Sequence, residues 1–383
     1  MAVAVVLVLV LVVLRRWRSG VATNPWSICG AAALALNPEL RRLLIGAGAG
    51  GGSGIGDEAA GVPKGMLESV LAERRFKLGY FYGPNGTVEY GIMLHGKLPR
   101  GNRESFLSDQ YDDLKDPLNQ PARTEPKQHL PFLMLGIAGR VVFLFLLCGL
   151  LALILTYANT GGKTAFEDFM DSESFGVRFL FTSVGVIISF FWAGFFGSIA
   201  TLSPYQLLAK SPQKAHRSIL LAPPTNAFSG LWSAIRRRDL FLAIVAFTSI
   251  LSEFLTVALS NIPFRVTQTF LAHTVCMWLA VSILCVMVLV VLASFFLLAA
   301  WPHMPVDPGT IAGAMYYVCD SWMLVRMEGL STLKRRDRDW RVNQMGLRYE
   351  FGEIRGADSG VVRVGVDAST ASMAAAKGTS WAL

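Results

Sequence analysis

Arg75–Ile92 reads RFKLGYFYGPNGTVEYGI, and Arg348–Asp367 reads RYEFGEIRGADSGVVRVGVD, 273 positions later. Setting Arg75 on Arg348 puts Phe76 on Tyr349, Leu78 on Phe351, Gly79 on Gly352, Phe81 on Ile354 and Gly83 on Gly356. After one extra residue, Ser359, Gly86 meets Gly360, Val88 meets Val362, Gly91 meets Gly365 and Ile92 meets Val366. Each copy largely alternates apolar and other residues, as a half-buried strand does. Asn85-Gly86 predicts a tight type I′ hairpin turn, and GADSG the same reversal with one more residue. Gly79 and Gly352 lie inside strands, where glycine marks a bulge or a close backbone approach. A lone two-stranded hairpin is marginal in water, so the two hairpins are expected to share one small sheet.

The match continues upstream. Asn24-Pro25-Trp26-Ser27-Ile28-Cys29-Gly30-Ala31 resembles Asp307-Pro308-Gly309-Thr310-Ile311-Ala312-Gly313-Ala314. Asn24 and Asp307 are expected to cap a helix, with proline at its first position. Between helix and hairpin the copies diverge, and the first carries GAGAGGGSGIG (46–56), a low-complexity linker. That run contains a GxGxxG spacing, but a dinucleotide site needs a strand before it, and here a helix precedes.

The rest of the chain reads as membrane. Of its 383 residues, 16% are charged, against about a quarter in a soluble domain, and mean hydropathy is +0.45. A spanning helix needs about 20 apolar residues. Pro131–Tyr157, Phe179–Leu202, Leu240–Ser260 and Phe270–Trp301 qualify, and Ala2–Leu14 reads as a partial span. Residues 15–130, 203–239 and 302–383 hold 31 of the 35 Lys and Arg, so the positive-inside rule places them in the cytoplasm. The five cysteines and five histidines form no CxxC or HxxxH pair. The net charge of +8 therefore reports loop orientation and predicts no nucleic-acid partner, cofactor or metal.

The expected fold is a mainly α membrane protein. A multi-span helical bundle of four full spans plus one partial N-terminal span carries a small cytoplasmic α+β module of two repeated helix-plus-β-hairpin units. The expected divisions are a partial span (1–14), repeat unit 1 (15–130), a four-span membrane domain (131–301), repeat unit 2 (302–367) and a disordered tail (368–383). Both units follow a span running in the same direction, so the repeat is parallel, and the chain reads as the end of one repeat plus one whole repeat.

SPYQLLAKSPQKA (203–215), DPGTIAGAMYYVCDS (307–321) and the two glycine hairpins resemble the fungal multi-pass membrane proteins that carry a duplicated domain of unknown function. The resemblance covers most of the chain apart from 46–63, much of 97–130 and the tail after 368. It implies two full repeats in a typical member and supplies no activity to transfer.

Three ionisable groups lie in apolar runs: Arg140, Glu253 and His273. Burying a charge at the centre of a span costs about 2.5–3.5 kcal/mol on insertion scales. Arg140 and Glu253 are expected to approach each other as a polar pair, or Arg140 to snorkel to the interface. A path for ions or protons through Glu253 is the sharper alternative. His273 falls near the outer interface and is expected to meet water. Ala193 and Gly197 form a small-xxx-small pair suited to helix packing within the chain. NAFSGLWSAI (226–235) reads as an interfacial helix, placing Arg236, Arg237 and Arg238 near anionic lipid headgroups. No paired carboxylates or Ser/His arrangement suggests catalysis. The expected function is a non-enzymatic membrane scaffold or interaction protein with protein partners on its cytoplasmic face, and the alternative is a transporter or channel subunit. The compartment is left open between plasma membrane and endomembranes.

Overall fold

The computed structural model describes residues 2–16, 23–49, 66–72, 74–95, 135–159, 175–262, 270–302 and 304–369. The expected glycine linker (46–56) is helical over 46–49, the last turn of a helix, and otherwise falls outside them, as does nearly all of the expected tail.

Four helices are long and apolar enough to cross a membrane: α5 (Ile137–Asn159), α6 (Phe175–Lys210), α8 (Leu240–Ser260) and α9 (Phe270–Ala299). Their outward faces stay apolar, with Phe145, Phe190, Phe247 and Phe296 exposed. Helix α6 packs closely along α8. A Cβ on Gly185 would sit 2.9 Å from the Thr256 Cα, and Ser189 Oγ donates to the Ser252 carbonyl at 2.9 Å. Close approach thus occurs at Gly185 and not at the expected Ala193/Gly197 pair. Ala193 is exposed, and nothing stands within 4 Å of a Cβ on Gly197. Phe143 of α5 stacks on Phe191 of α6 at 3.5 Å, and buried Trp192 closes the core beside it. At 15 residues, α1 (Ala2–Arg16) is shorter than a full span.

Beyond the Leu240 end of the bundle lie the short elements. They are α2 (Ile28–Leu34), α3 (Pro38–Ala49), α4 (Met66–Ala72), β1 (Phe76–Tyr82), β2 (Val88–Leu94), β3 (Gln213–Lys214), α7 (Ala227–Arg237), α10 (Ile311–Tyr316), α11 (Trp322–Arg326), α12 (Arg335–Gln344), β4 (Arg348–Arg355) and β5 (Val362–Ala368). Helices α2 and α10 start three residues later than expected. Ser27 Oγ caps α2 by accepting from Gly30 N at 3.1 Å, and Thr310 Oγ1 caps α10 by accepting from Gly313 N at 3.0 Å. Asn24 and Asp307 close the preceding turn instead, accepting from Trp26 N and Gly309 N. A hydroxyl at the cap reaches the third helical N–H, and the longer Asn or Asp side chain suits the turn before it.

The hairpins do not share a sheet, contrary to expectation. β1 and β2 form a two-stranded antiparallel sheet with Gly79 opposite Gly91. β4 and β5 pair with Gly352 opposite Gly365, and β3 adds a third strand on β4. The loop leaving α6 supplies the edge instead, with Lys214 opposite Arg348. The type I′ turn is also corrected. Gly86 lies at φ +74 while Asn85 does not reach positive φ, and Gly86 N donates to the Gly83 carbonyl. A type I′ turn needs positive φ at both central residues. Each sheet lies on a helix end at a glycine with no room for a side chain. A Cβ on Gly91 would stand 2.8 Å from the Leu34 carbonyl oxygen, and one on Gly365 would stand 2.7 Å from the Tyr317 carbonyl oxygen.

Candidate functional site

Arg140 is buried, and its Nη1 donates to the Ser294 carbonyl at 2.8 Å while the guanidinium lies over the Phe295 ring at 4.5 Å. A buried guanidinium is tolerated when carbonyl dipoles and an aromatic face replace water. Glu253 stands apart on the exposed face of α8, between exposed Phe254 and Val257 and one turn from buried Ser249. The structure therefore does not bring Arg140 and Glu253 together. Helical geometry decides this: Arg140 points at α9, while Glu253 follows Ser252 by 100° and so leaves the α6–α8 contact that Ser252 occupies. His273 is also corrected. It is buried, with Nε2 3.2 Å from the Ile262 carbonyl oxygen and its ring edge-on to Tyr157.

Helix α7, at the stretch read as interfacial, is amphipathic. Asn226 Oδ1 caps it through Ser229 N at 2.7 Å, and Phe228, Trp232 and Ile235 form one exposed apolar stripe at helical spacing. Gly230 and Ala234 face inward. Arg236 and Arg238 are exposed at its end, and Arg238 takes the left-handed conformation with its N–H closing onto Ala234 and Ile235. Arg237 is half-buried. Burial lowers its pKa, and Asp239 nearby works in the opposite direction.

The densest polar network joins the two helix-plus-hairpin segments, and sequence reading missed it. Arg41 of α3 donates Nε to the Cys319 carbonyl at 2.9 Å and places Nη2 2.7 Å from Asp358, in the turn of the second hairpin. Asp320 gathers the same turn, accepting from Asp358 N at 2.8 Å and from Ser359 Oγ. From the other side, Glu89 of the first hairpin is 1% exposed and accepts from Gly329 N and Ser331 Oγ. Tyr90 N donates to Ser331 Oγ at 2.7 Å, and Asn85 donates to Glu328. Each segment thus grips the other near its hairpin turn. Arg41 and Glu89 carry no local motif; pairing partners about 240–320 residues away leaves no sequence signal. Below this network Asp367 accepts from Ser321 Oγ and from the backbone of Trp322 and Met323, capping α11. Burial raises the Asp367 carboxyl, and those hydrogen bonds partly offset it.

Beside β3 lies a cleft of about 420 Å³ lined by Ser211, Pro212, Gln213, Lys214, His216, Arg217 and Arg348. Among the described residues no group of three or more His, Cys, Asp or Glu could hold a metal ion. Cys29 and Cys319 are buried thiols, and burial pushes Cys29 up to about 11 despite the Arg338 guanidinium beside it.

These features define a mostly helical chain with four candidate membrane-spanning helices and small antiparallel sheets at one end. Residues 175–264, from α6 through α8, match a family model described as a protein of unknown function (DUF3433). No curated protein and no solved structure matches the chain.

Proposed function

We propose that this chain is a non-enzymatic membrane scaffold, anchored by four spans, whose two helix-plus-hairpin units form one platform on the cytoplasmic face. The reciprocal lock carries the reading: Arg41 holds the second unit's hairpin turn, and Glu89 of the first unit's hairpin holds Gly329 and Ser331. Buried polar groups satisfied across a junction rigidify it, as a surface that presents partners requires. The matching caps at Ser27 and Thr310, and the matching contacts of Gly91 on Leu34 and Gly365 on Tyr317, support a duplicated unit of the kind the fungal family carries. The 31 of 35 Lys and Arg that fall in the sequence segments 15–130, 203–239 and 302–383 support cytoplasmic placement.

Glu253 supports a lateral partner over a transport path. Charged side chains within spans almost always face a protein interior or a water-filled cavity. A carboxyl on the outward face of α8 is accommodated when another span covers it.

The test is proximity labelling from a ligase fused to the C-terminus, in wild type and in Glu89→Ala. A discrete labelled set that collapses in the variant, with membrane insertion unchanged, supports the scaffold. An identical set in both, or a solute flux of the reconstituted protein that falls in Glu253→Gln, overturns it. The sequon at Asn85 checks sidedness. No glycosidase mobility shift is expected relative to Asn85→Gln, and a shift lost in the variant puts the platform in the lumen.

A further inference from the structure

We propose that the cleft beside β3 is a binding site for an anion carrying several phosphates, of the size of a phosphorylated inositol. It stands whether or not the scaffold reading does. Its lining has three permanently cationic side chains, Lys214, Arg217 and Arg348, with His216, Ser211 and Gln213 as further donors, and no carboxylate. Its volume falls in the range of small-ligand pockets, about 300–1,000 Å³.

Lys214 and Arg348 sit directly opposite each other in the β3–β4 ladder. Like charges so placed are destabilising, and an anion between them reverses the sign. The needs of the helix end and of the sheet edge account for only part of this charge. The carbonyl end of α6 attracts a cation in its last turn, which accounts for Lys210. An edge strand takes a lysine as protection against further pairing, which accounts for Lys214 alone. Neither calls for Arg217 beyond. Helix α12 packs on Ala215–Arg217; its buried Arg338 is ion-paired with Asp339 at 3.5 Å and adds no free charge to the cleft.

Height decides what can reach it. Ser203 Oγ donates to Asp239 at 2.8 Å, level with the start of α8, and α6 runs on to Lys210. Seven more residues raise the cleft by about 10 Å, whereas the headgroup layer is about 5–8 Å deep. A phosphoinositide headgroup standing proud of the surface, or a free inositol phosphate, presents the same chemistry there.

The experiment is calorimetric titration of the full chain in phosphatidylcholine nanodiscs with inositol hexakisphosphate. Binding is expected, weakened about tenfold in Lys214→Gln/Arg348→Gln and in Arg217→Gln, which lies outside the sheet. Affinity should not change in Arg236→Gln, at the end of α7. Nanodiscs doped with phosphatidylinositol bisphosphate separate the sources. Loss of soluble-probe binding assigns the site to the lipid headgroup, and undiminished binding assigns it to the free anion. No binding to wild type, or equal affinity in wild type and in both cleft variants, overturns the site.

Discussion

Phe76 and Leu78 occupy the same rungs of the first hairpin that Tyr349 and Phe351 occupy in the second, three and one residues before the paired glycine. Their surroundings differ completely. Tyr349 and Phe351 are 1% and 6% exposed, while Phe76 and Leu78 are 38% and 39% exposed. Over the second hairpin stands the continuation of α6, whose Tyr205 ring meets Phe351 edge-on at 5.6 Å, with Tyr317 at the same distance on another side. The loop that follows lays β3 on the outer edge of β4. The first hairpin has neither cover, and Tyr80 and Tyr82 extend its exposed face. One strand pattern thus serves as core in one place and as surface in the other. Alternation specifies which residues share a face but not what that face meets.

The strongest way to break this comparison is to cut the same side chain from both hairpins. Phe351→Ala should cost about 3–5 kcal/mol, as a buried aromatic does. Leu78→Ala should cost less, about 1–2 kcal/mol, because its side chain stays 39% exposed in the fold. Denaturant unfolding of both variants in micelles, followed by tryptophan fluorescence, measures the gap. Equal losses would mean that the β1 face is covered in the assembled protein.

Removing the lock comes next. Glu89→Ala should cost about 2–3 kcal/mol, since Gly329 N and Ser331 Oγ lose a charged acceptor away from water. Protease sensitivity of the 328–331 segment should rise with it. Resistance unchanged from wild type would mean that the two units hold without this bond.

The glycines sharpen the comparison from the opposite side, because here the hairpins should behave alike. Gly91→Ala and Gly365→Ala should each cost about 1–3 kcal/mol, since each Cβ would press on a helix-end carbonyl at 2.8 and 2.7 Å. A large cost at only one position would separate the two contacts.

The smallest effect is in pH. Burial raises the Asp367 carboxyl, so the folded state binds that proton more tightly than the unfolded chain, whose carboxyl titrates near about 3.9. Its contribution is most favourable below that value and is lost as pH rises through the raised folded value. The stability difference between wild type and Asp367→Asn should therefore shift against wild type across that window and stay flat above it. A difference that grows in favour of wild type with rising pH would reverse the assignment.

The spans were legible in the sequence because the bilayer sets one length and one composition for any helix that crosses it, and four runs meet both. The hairpins were legible as strand pairs, since alternation and turn residues act locally, but the register that sets Gly79 on Gly91 was not, because the Asn85-Gly86 turn was read one residue off. An apolar helix at 226–235 was legible as well. Site geometry was not legible. Arg140 and Glu253 looked like partners by depth alone, and rotation about the helix axis separates them. The cleft takes Lys214 and Arg217 from a loop already noted as basic and Arg348 from a strand 134 residues further on.

By itself, then, the sequence determined the number of candidate spans and the two hairpins, because hydrophobic length and strand periodicity are properties of neighbouring residues. Only the tertiary structure decided which hairpin is covered, that Arg41 and Glu89 clasp the two units, and that Lys214 faces Arg348. Those depend on which surfaces the long α6 helix brings together, and no local pattern encodes a contact made hundreds of residues away.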